Sequence, residues 1–484
     1  MARHGVRLRA LDPRCPLQVG NGEFAFAVDP TGMQTFPDAY PVAGGGSLLG
    51  TMAQWAWHSL PAPRPYSLGE TLREYDTPRG PVPYVDLSNE SHDAASQTDA
   101  ETWLRGNPHK LQLATIGLWV PSSPLDVAAL TDVDQHLDLW SGTITSRFRL
   151  GGARYTTITA VHPERDAVAI DVTGPPAARL GVRLRFPYGS DAWADACDWS
   201  RSEAHTTRLE RMAQGWRIVR QLDGSVYVVI VHAHADGGEA ALEVELRAEH
   251  ELVFGATGAL RVVIEFLPGE GDEQGALAAG TVLSSRRAVS SRRALDPFRA
   301  LDTRHALDTR SVTAASASSW ADFWSSGACV DLSGSTDPRA HELERRIVLS
   351  QYLTAINCAG SVPPAETGLL LNSWRGKFHL EMHLFHGLHF AAWGRPRLLE
   401  RSLGWYQRVL GPARQTAANQ GHAGARWPKQ VGPDGRETPS SIGPFLVWQQ
   451  PHLIYLLEML YRADPDSDVL ERYGELIFAT AEFM

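Results

Sequence analysis

The first part of the chain, to about residue 280, alternates apolar and polar positions in short segments that end at Gly, Pro, Asn or Asp. In TITSRFRLGGARYTTITAV, which begins at Thr143, this alternation runs on both sides of Gly151 and Gly152. A period of two is typical of half-buried strands, and a Gly-Gly pair suits a two-residue turn, so the segment predicts a β-hairpin. Further strands are predicted by GVRLRFPY, SVYVVIVHA, ALEVELRAEHE and LRVVIEFLPGE. We therefore predict an antiparallel β-sandwich over residues 1–283.

A repeat with a period of six follows, SSRRAV SSRRAL DPFRAL DTRHAL DTRSVT, over residues 284–313. Six matches no helical period, and so few hexads of small apolar residues and Arg could not bury the core of a β-solenoid. We interpret residues 284–335 as a linker with an expanded surface loop. A basic interaction tail is the alternative, which the interspersed Asp residues disfavour.

After about residue 336 the apolar residues take helical spacing. The segment DPRAHELERRIVLSQYLTAINCAG starts with Asp-Pro, places Leu and Ile residues near one face, and ends at Gly360. The same pattern recurs in three later segments, the last of which is still apolar and helical at Met484. This length suffices for about five or six helices. We therefore predict an all-helical domain at residues 336–484 and expect it to be incomplete in this chain.

Composition narrows the class of ligand. The 484 residues are 43% hydrophobic and 21% charged, with a formal net charge of −10. This balance argues against nucleic-acid or anionic-membrane partners, which require concentrated Lys and Arg, and suits a small neutral or polar ligand. The four Cys form no CxxC pair, and neither a secretory signal nor an apolar run of about 18 residues is present. A cytoplasmic protein is predicted, with its oligomeric state open.

Residues 372–395, NSWRGKFHLEMHLFHGLHFAAWGR, crowd aromatic, charged and four His residues together. His379, His383 and His386 have i, i+4 and i+7 spacing, which would place them on one face of a helix and suits a metal site. However, no HExxH motif is present and no carboxylate shares that face cleanly, so no bound metal is predicted. A second interpretation is a buried helix, which leaves Glu381 and the nearby charged residues costly to bury.

A third interpretation is a sugar pocket, because sugar recognition combines flat aromatic faces with polar groups that reach neighbouring hydroxyls. Residues 372–395 supply both, and the loops GARWPKQVGPDGRETP and VWQQPH, which begin at Gly424 and Val447, repeat the combination. Three such loops at one end of a helical bundle would form a cleft. We favour this interpretation, while the residues alone leave all three open.

Two segments resemble motifs of the six-hairpin, (α/α)6-barrel glycosidases, most closely glycoside hydrolase family 65. GKFHLEMH (Gly376–His383) is similar to the family's GH-x-FWDTE, and ARQTAANQGHAGARWPKQVGPDGRETP (Ala413–Pro439) to its AR…GA…YP…G-E-T-P segment. The resemblance implies an N-terminal β-sandwich, a linker and then the (α/α)6 barrel. Glu381 stands in place of the family's sugar-binding Asp, and His383 stands in place of its next acidic residue. These differences imply that the site binds a different set of sugar hydroxyls from the one that the family binds.

A weaker resemblance links the chain to glycoside hydrolase family 95, the α-L-fucosidase group. PLQVGNGEFAFAV (Pro16–Val28) is similar to its PLGNGRLGAMV, and FHLEMH to its YHxNxN. The Gly-Asn-Gly element is also a strong turn former, and it does not complete the GxGxxG of nucleotide-binding loops. No cofactor is predicted.

The family-65 resemblance implies inverting cleavage of a glycoside or oligosaccharide, in which an acid protonates the leaving oxygen while water or phosphate attacks the opposite face. It also implies that the general acid lies beyond Met484. Glu381 is the predicted active-site carboxylate, with a binding or positioning role, and Glu366 is a further candidate. The predicted substrate contacts are Trp374, Lys377, His379, His383, Trp427, Lys429, Glu437 and Gln449. A glycoside hydrolase is our first hypothesis, with a phosphorylase, a fucosidase or a non-catalytic sugar-binding protein as alternatives.

Overall fold

Antiparallel strands fill the first part of the computed structural model, which describes residues 2–87, 97–121, 125–238, 241–269, 306–465 and 468–484. Within these described ranges, twenty-two strands precede residue 270, and two short strands lie among the helices. In chain order they are β1 Val6–Leu8, β2 Leu17–Gly20, β3 Phe24–Val28, β4 Thr51–Ala53, β5 Trp57–His58, β6 Leu72–Thr77, β7 Gly80–Val85, β8 His109–Lys110, β9 Thr115–Trp119, β10 Leu130–Asp138, β11 Thr143–Leu150, β12 Ala153–Val161, β13 Ala167–Thr173, β14 Arg179–Arg185, β15 Tyr188–Gly189, β16 Cys197–Asp198, β17 His205–Arg211, β18 Trp216–Leu222, β19 Ser225–Ala235, β20 Glu243–Ala248, β21 Glu251–Thr257, β22 Ala259–Pro268, β23 Phe378–His379 and β24 Gln430–Val431.

The two largest sheets form the predicted sandwich. One has nine strands in the order β1-β10-β11-β12-β13-β22-β19-β18-β17, and the other has four in the order β20-β21-β14-β9. Their inner faces share one core, in which Trp216 of β18 meets Phe254 of β21 with ring centroids 5.3 Å apart. Large aromatic side chains bury much apolar surface, so such pairs hold the two sheets face to face.

The predicted hairpin is confirmed. Strands β11 and β12 pair antiparallel from Leu150 opposite Ala153, with Gly151 and Gly152 as the turn. Both glycines have positive φ angles, 55° and 82°, which glycine adopts without the steric penalty of a side chain. On β11, the inward-facing Ser146 and Phe148 are buried, while Arg147, which lies between them, is exposed. The alternation read from the sequence therefore fixes which face of this strand meets the core.

Eight α-helices are described: α1 Asp99–Gly106, α2 Thr309–Ser325, α3 Ala340–Cys358, α4 Leu380–Ala392, α5 Pro396–Arg408, α6 Leu410–Asn419, α7 His452–Ala463 and α8 Val469–Phe483. The predicted order of antiparallel sheets followed by helices is confirmed, and α3 matches the predicted helix. Helix α4 packs against α5 and α7, and α8 packs against α7. Across the described residues, no helix is both long and apolar enough to cross a membrane.

Two helices were not predicted. Helix α1 begins with a capping box, in which the Thr98 side chain accepts from the Glu101 amide and the Glu101 side chain accepts from the Thr98 amide. Helix α2 lies inside the stretch assigned to the linker and packs against the nine-stranded sheet, with Val312 buried against Val263 of β22. Most of the hexad repeat, residues 284–305, lies outside the described residues.

Candidate functional site

Three loops around the start of α4 are joined by backbone hydrogen bonds. The Leu380 amide donates to the Lys429 carbonyl at 2.9 Å, and the His379 amide donates to the Pro364 carbonyl at 3.1 Å. Strands β23 and β24 pair at the same place, with His379 opposite Gln430. Such ladders fix neighbouring backbones about 5 Å apart, so side chains from all three loops meet here.

A cluster of polar and aromatic side chains projects from these loops, and we name it the His379 cluster: Glu366, Trp374, His379, Glu381 and Lys429. His379 Nε2 lies 3.5 Å from Glu366 Oε2. The Trp374 ring centroid is 4.4 Å from Lys429 Nζ and 5.7 Å from the His379 ring centroid. Glu381 occupies the first turn of α4, where the positive end of the helix favours a carboxylate. The cluster therefore combines aromatic faces with charged groups, as sugar recognition requires.

The charges of the cluster act on one another. Burial lowers the pKa of Lys429, which is only 6% exposed, while the carboxylates of Glu381 and Glu366 oppose that change. Burial raises the pKa of Glu366, Lys429 opposes the rise, and Glu381 adds to it. Lys429 has no carboxylate within 4.0 Å among the described residues, so its charge is balanced at longer range and by the face of Trp374.

His379 has buried ring nitrogens without hydrogen-bond partners among the described residues. It is 1% exposed, and burial lowers its pKa to about 3, with Lys429 adding to the effect, so the ring is neutral at pH 7. Neither ring nitrogen makes a hydrogen bond to a described protein group, because Glu366 lies beyond the normal hydrogen-bond distance. Buried polar atoms are rarely left without partners, so a water molecule or a ligand must supply the missing hydrogen bonds of this ring.

The aromatic side of the cluster continues into the sandwich. The ring centroids of Trp374 and Trp193, a residue of the loop between β15 and β16, lie 3.9 Å apart. Trp374 and Arg375 both have positive φ angles, 51° and 63°, which are uncommon for non-glycine residues and occur at functional sites. The Arg375 amide and Nε hold this conformation by donating to the carbonyls of Trp193 and Asp191, at 3.0 and 2.8 Å.

A cavity of about 430 Å³ opens beside this tryptophan pair. Helix α1 contributes Arg105 and Thr102 to its lining, and the loop that carries Trp193 contributes Asp191. This volume falls in the range of small-molecule sites, roughly 300–1,000 Å³. Sequence reasoning missed Trp193, because no local pattern could join a sandwich loop to a residue so much later in the chain.

A second polar group lies in the loops that follow Trp427. Glu437 is 8% exposed, its Oε2 makes no hydrogen bond to a described group, and burial raises its pKa to about 7 against the opposing charge of Arg426. Gln449 Nε2 donates to the carbonyls of Trp427 and Leu446, at 3.2 and 2.7 Å, and its Oε1 has no partner among the described residues. Glu437 and Gln449 thus retain free acceptor atoms beside the loop that carries Lys429.

Three predicted contacts lie apart from the His379 cluster. Lys377 Nζ donates to the carbonyls of Leu104 and Asn107, both at 3.1 Å, and so ties the loop to α1. The ring nitrogens of His383 bond to the hydroxyls of Tyr406 and Ser402, at 2.9 and 2.8 Å, inside the helical core.

Trp427 is the third predicted contact that lies apart from the His379 cluster. Its indole Nε1 donates to Thr480 Oγ1 at 2.8 Å, and the ring is 2% exposed. The polar atoms of all three side chains are therefore engaged in holding the fold. The engagement of His383 also separates the His trio that suggested a metal site, and the described part of the chain contains no group of three or more His, Cys, Asp or Glu arranged to hold a metal ion.

Comparison with known proteins rests on structure alone, because no protein-family model and no curated protein matches the sequence. A candidate kojibiose phosphorylase from the human microbiome matches with a TM-score of 0.60 and 10% identity, over 99% of this chain and 60% of that chain. A bacterial glucoamylase complexed with acarbose matches with a TM-score of 0.44 and 10% identity, over 78% of this chain and 53% of that chain. The chain thus spans about 60% of the length of the first of these proteins. It has the predicted six-hairpin glycosidase type of fold, similar to that of family 65.

Proposed function

We propose that the chain belongs to a carbohydrate-active enzyme and that the His379 cluster binds one sugar unit of its substrate. The observation that carries this proposal is the buried, neutral His379. Its ring nitrogens have no hydrogen-bond partner among the described residues, and they lie near Lys429, two carboxylates and the face of Trp374. A sugar ring offers vicinal hydroxyls to such donors and acceptors, and its C–H face suits an indole. The fold similarity to a candidate kojibiose phosphorylase supports the substrate class.

For the reaction, we propose inverting cleavage of a glycosidic bond in an oligosaccharide or glycoside. Glu381 would accept hydrogen bonds from sugar hydroxyls and hold the ring in position, as a binding carboxylate of the active site. Lys429 would donate a charge-assisted hydrogen bond to another hydroxyl, and neutral His379 can donate through one nitrogen and accept through the other. Water is the attacking group in a hydrolase.

Phosphorolysis is the second candidate, favoured by the similarity to a candidate kojibiose phosphorylase. The two reactions share the sugar site and differ in the attacking group, which is phosphate instead of water. Incubation of the gene product with a panel of aryl glycosides and disaccharides, with and without phosphate, distinguishes them. Release of a free sugar without phosphate supports hydrolysis, and formation of a sugar phosphate supports phosphorolysis.

The sugar site itself is tested by calorimetry with Glu381→Gln. We expect this variant to bind maltose or kojibiose roughly 5- to 15-fold more weakly, because Gln replaces a hydrogen bond to a charged group, of about 1.5–3 kcal/mol, with a neutral one of about 0.5–1.5 kcal/mol. Glu471→Gln, the same change at an exposed position of α8, is the matched control and should bind as the parent does. Unchanged sugar affinity in Glu381→Gln would remove that residue from the site.

A cytoplasmic location also stays a proposal. All four cysteines, Cys15, Cys197, Cys329 and Cys358, are free thiols, as is usual for proteins of reducing compartments. Fractionation of the native host and immunodetection of the protein would test it, and recovery in the extracellular fraction would contradict it.

A further inference from the structure

A larger cavity, of about 510 Å³, lies at the junction of the sandwich, helix α2 and the later helices. It shares no lining residue with the His379 cluster or with the cavity beside Trp193. Its lining includes a face of α2 that carries Ser319, Trp320 and Phe323, and the start of α5 from Arg395 to Arg401. The sugar site proposed above makes no use of it.

Arg395 is held rigidly in this lining. Its Nε donates to the Phe323 carbonyl at 2.9 Å, and its Nη1 donates to Gln351 Oε1 at 3.2 Å. The guanidinium also lies over the Phe323 ring, 4.1 Å from the centroid, and against the bare backbone of Gly327, where a Cβ would come within 2.6 Å of Arg395 Cζ. The residue is only 6% exposed.

The remaining amino group of Arg395 has no acceptor. Nη2 is buried and makes no hydrogen bond to any described protein group. Leaving a donor of a charged group unpaired in a buried position is unfavourable, and an acceptor supplied by a ligand would remove that cost. Because the other two nitrogens fix the guanidinium, this donor is already oriented before any ligand arrives.

The charge around Arg395 is positive. Arg397 and Arg401 also line the cavity, and Asp322 is the one acidic side chain in its lining. None of these four forms an ion pair within 4.0 Å among the residues that the structure describes. The amino-terminal end of α5, a helix of 13 residues, adds a partial positive charge to the same lining. Helix α2 adds the apolar side chains of Trp320 and Phe323 to the lining.

We propose that this cavity is a second ligand site, for a small organic anion whose carboxylate or phosphate group bonds to Arg395. A flat apolar body of the same ligand would lie against Trp320 and Phe323. Because the sandwich, α2 and the later helices all line the site, a bound ligand would contact all three and stabilise their junction against unfolding. The proposal is independent of the sugar site.

Calorimetry on the full chain tests it with four probes: phenyl phosphate, benzoate, benzyl alcohol and inorganic phosphate. We expect phenyl phosphate, benzoate or both to bind at least tenfold more tightly than benzyl alcohol, and phenyl phosphate to bind more tightly than inorganic phosphate. A preference between the two anions identifies the head group. Equal affinity for benzyl alcohol, equal affinity for inorganic phosphate, or no binding of either aromatic anion at millimolar concentration would overturn the proposal.

Variants locate the bound probe. Ser319→Phe fills the cavity from α2 without touching the bonds of Arg395, and Arg395→Met removes the charge. Each should weaken binding of the tighter anion at least tenfold, whereas Arg414→Met, at an exposed position of α6, should not change it by more than twofold. If Arg395→Met fails to fold, Ser319→Phe alone tests whether the anion binds in this cavity. Loss of binding in Trp374→Ala with full binding in Ser319→Phe would place the anion in the sugar site and refute the proposal.

Discussion

Replacement of Lys429 by Met separates binding from folding more clearly than any other change in the cluster. The side chain is 6% exposed and its ammonium lies 4.4 Å from the Trp374 ring centroid, so the protein already bears the cost of its burial. Met loses a cation–π contact of about 0.5–2 kcal/mol but also removes that burial cost. We therefore expect the free energy of unfolding to change by no more than about 1–2 kcal/mol.

Sugar affinity should respond much more strongly to Lys429→Met. A charge-assisted hydrogen bond to a hydroxyl contributes about 1.5–3 kcal/mol, which corresponds to roughly a 10- to 150-fold weaker Kd for maltose or kojibiose. Calorimetry measures the Kd, and urea unfolding measures stability. Lys377→Met is the matched control, because that lysine bonds to the carbonyls of Leu104 and Asn107 and should leave the Kd within twofold. Unchanged affinity in a folded Lys429→Met protein would refute the reasoning.

The same variant has an electrostatic signature. Lys429 lowers the pKa of Glu366, which burial raises, so removal of the ammonium must raise the pKa of Glu366 further. Carbon-13 NMR of the Glu366 carboxyl group reports that change directly. A pKa of Glu366 that stays the same or falls in Lys429→Met would mean that the two groups do not interact.

The remaining predictions concern residues that support the site. His383→Leu should lower the free energy of unfolding by about 1–3 kcal/mol, because the buried Tyr406 hydroxyl loses its partner while Ser402 Oγ keeps its bond to the Leu399 carbonyl, yet leave sugar affinity unchanged. Trp427→Phe should lower the free energy of unfolding by about 1–2 kcal/mol because the hydrogen bond to Thr480 is lost, and it should leave the affinity for sugar unchanged. Burial raises the pKa of Glu437 from 4.5 to about 7. The contribution of its carboxyl group to the free energy of unfolding is therefore fully present below pH 4.5 and is lost as the pH rises through 7. Relative to Glu437→Gln, the parent should lose about 3 kcal/mol between pH 4.5 and pH 8 in urea unfolding, and parallel pH profiles would contradict this.

The sequence specifies the local parts of the fold well. Alternation around Gly151 and Gly152 identified a hairpin, and helical spacing identified α3, because both patterns arise from side chains that face one core. Helix α2 was missed because its Ser and Ala residues give a weak apolar stripe and because it begins inside the last hexad of the repeat. Helix α1 carried a usable signal in its capping box, Thr98 and Glu101.

The site was less accessible to sequence reasoning. Aromatic and charged residues of the right type could be picked out, but the direction of each side chain depends on tertiary contacts. Lys377 and Lys429 illustrate this, since both are buried lysines of neighbouring loops, and one bonds to α1 while the other lies over Trp374. Trp193 could not be found at all, because its contact with Trp374 joins the sandwich to the loop before α4.

The central claim is that a sugar binds against Trp374 and His379, and nitrogen-15 NMR of the titrated protein tests it most directly. On addition of maltose or kojibiose, we predict shifts in the indole N–H of Trp374 and Trp193 and in the ring nitrogens of His379, each assigned with single variants. The Trp427 indole, bonded to Thr480, should not shift. Saturable binding that moves the Trp427 signal and leaves Trp374 and His379 unchanged would contradict the account.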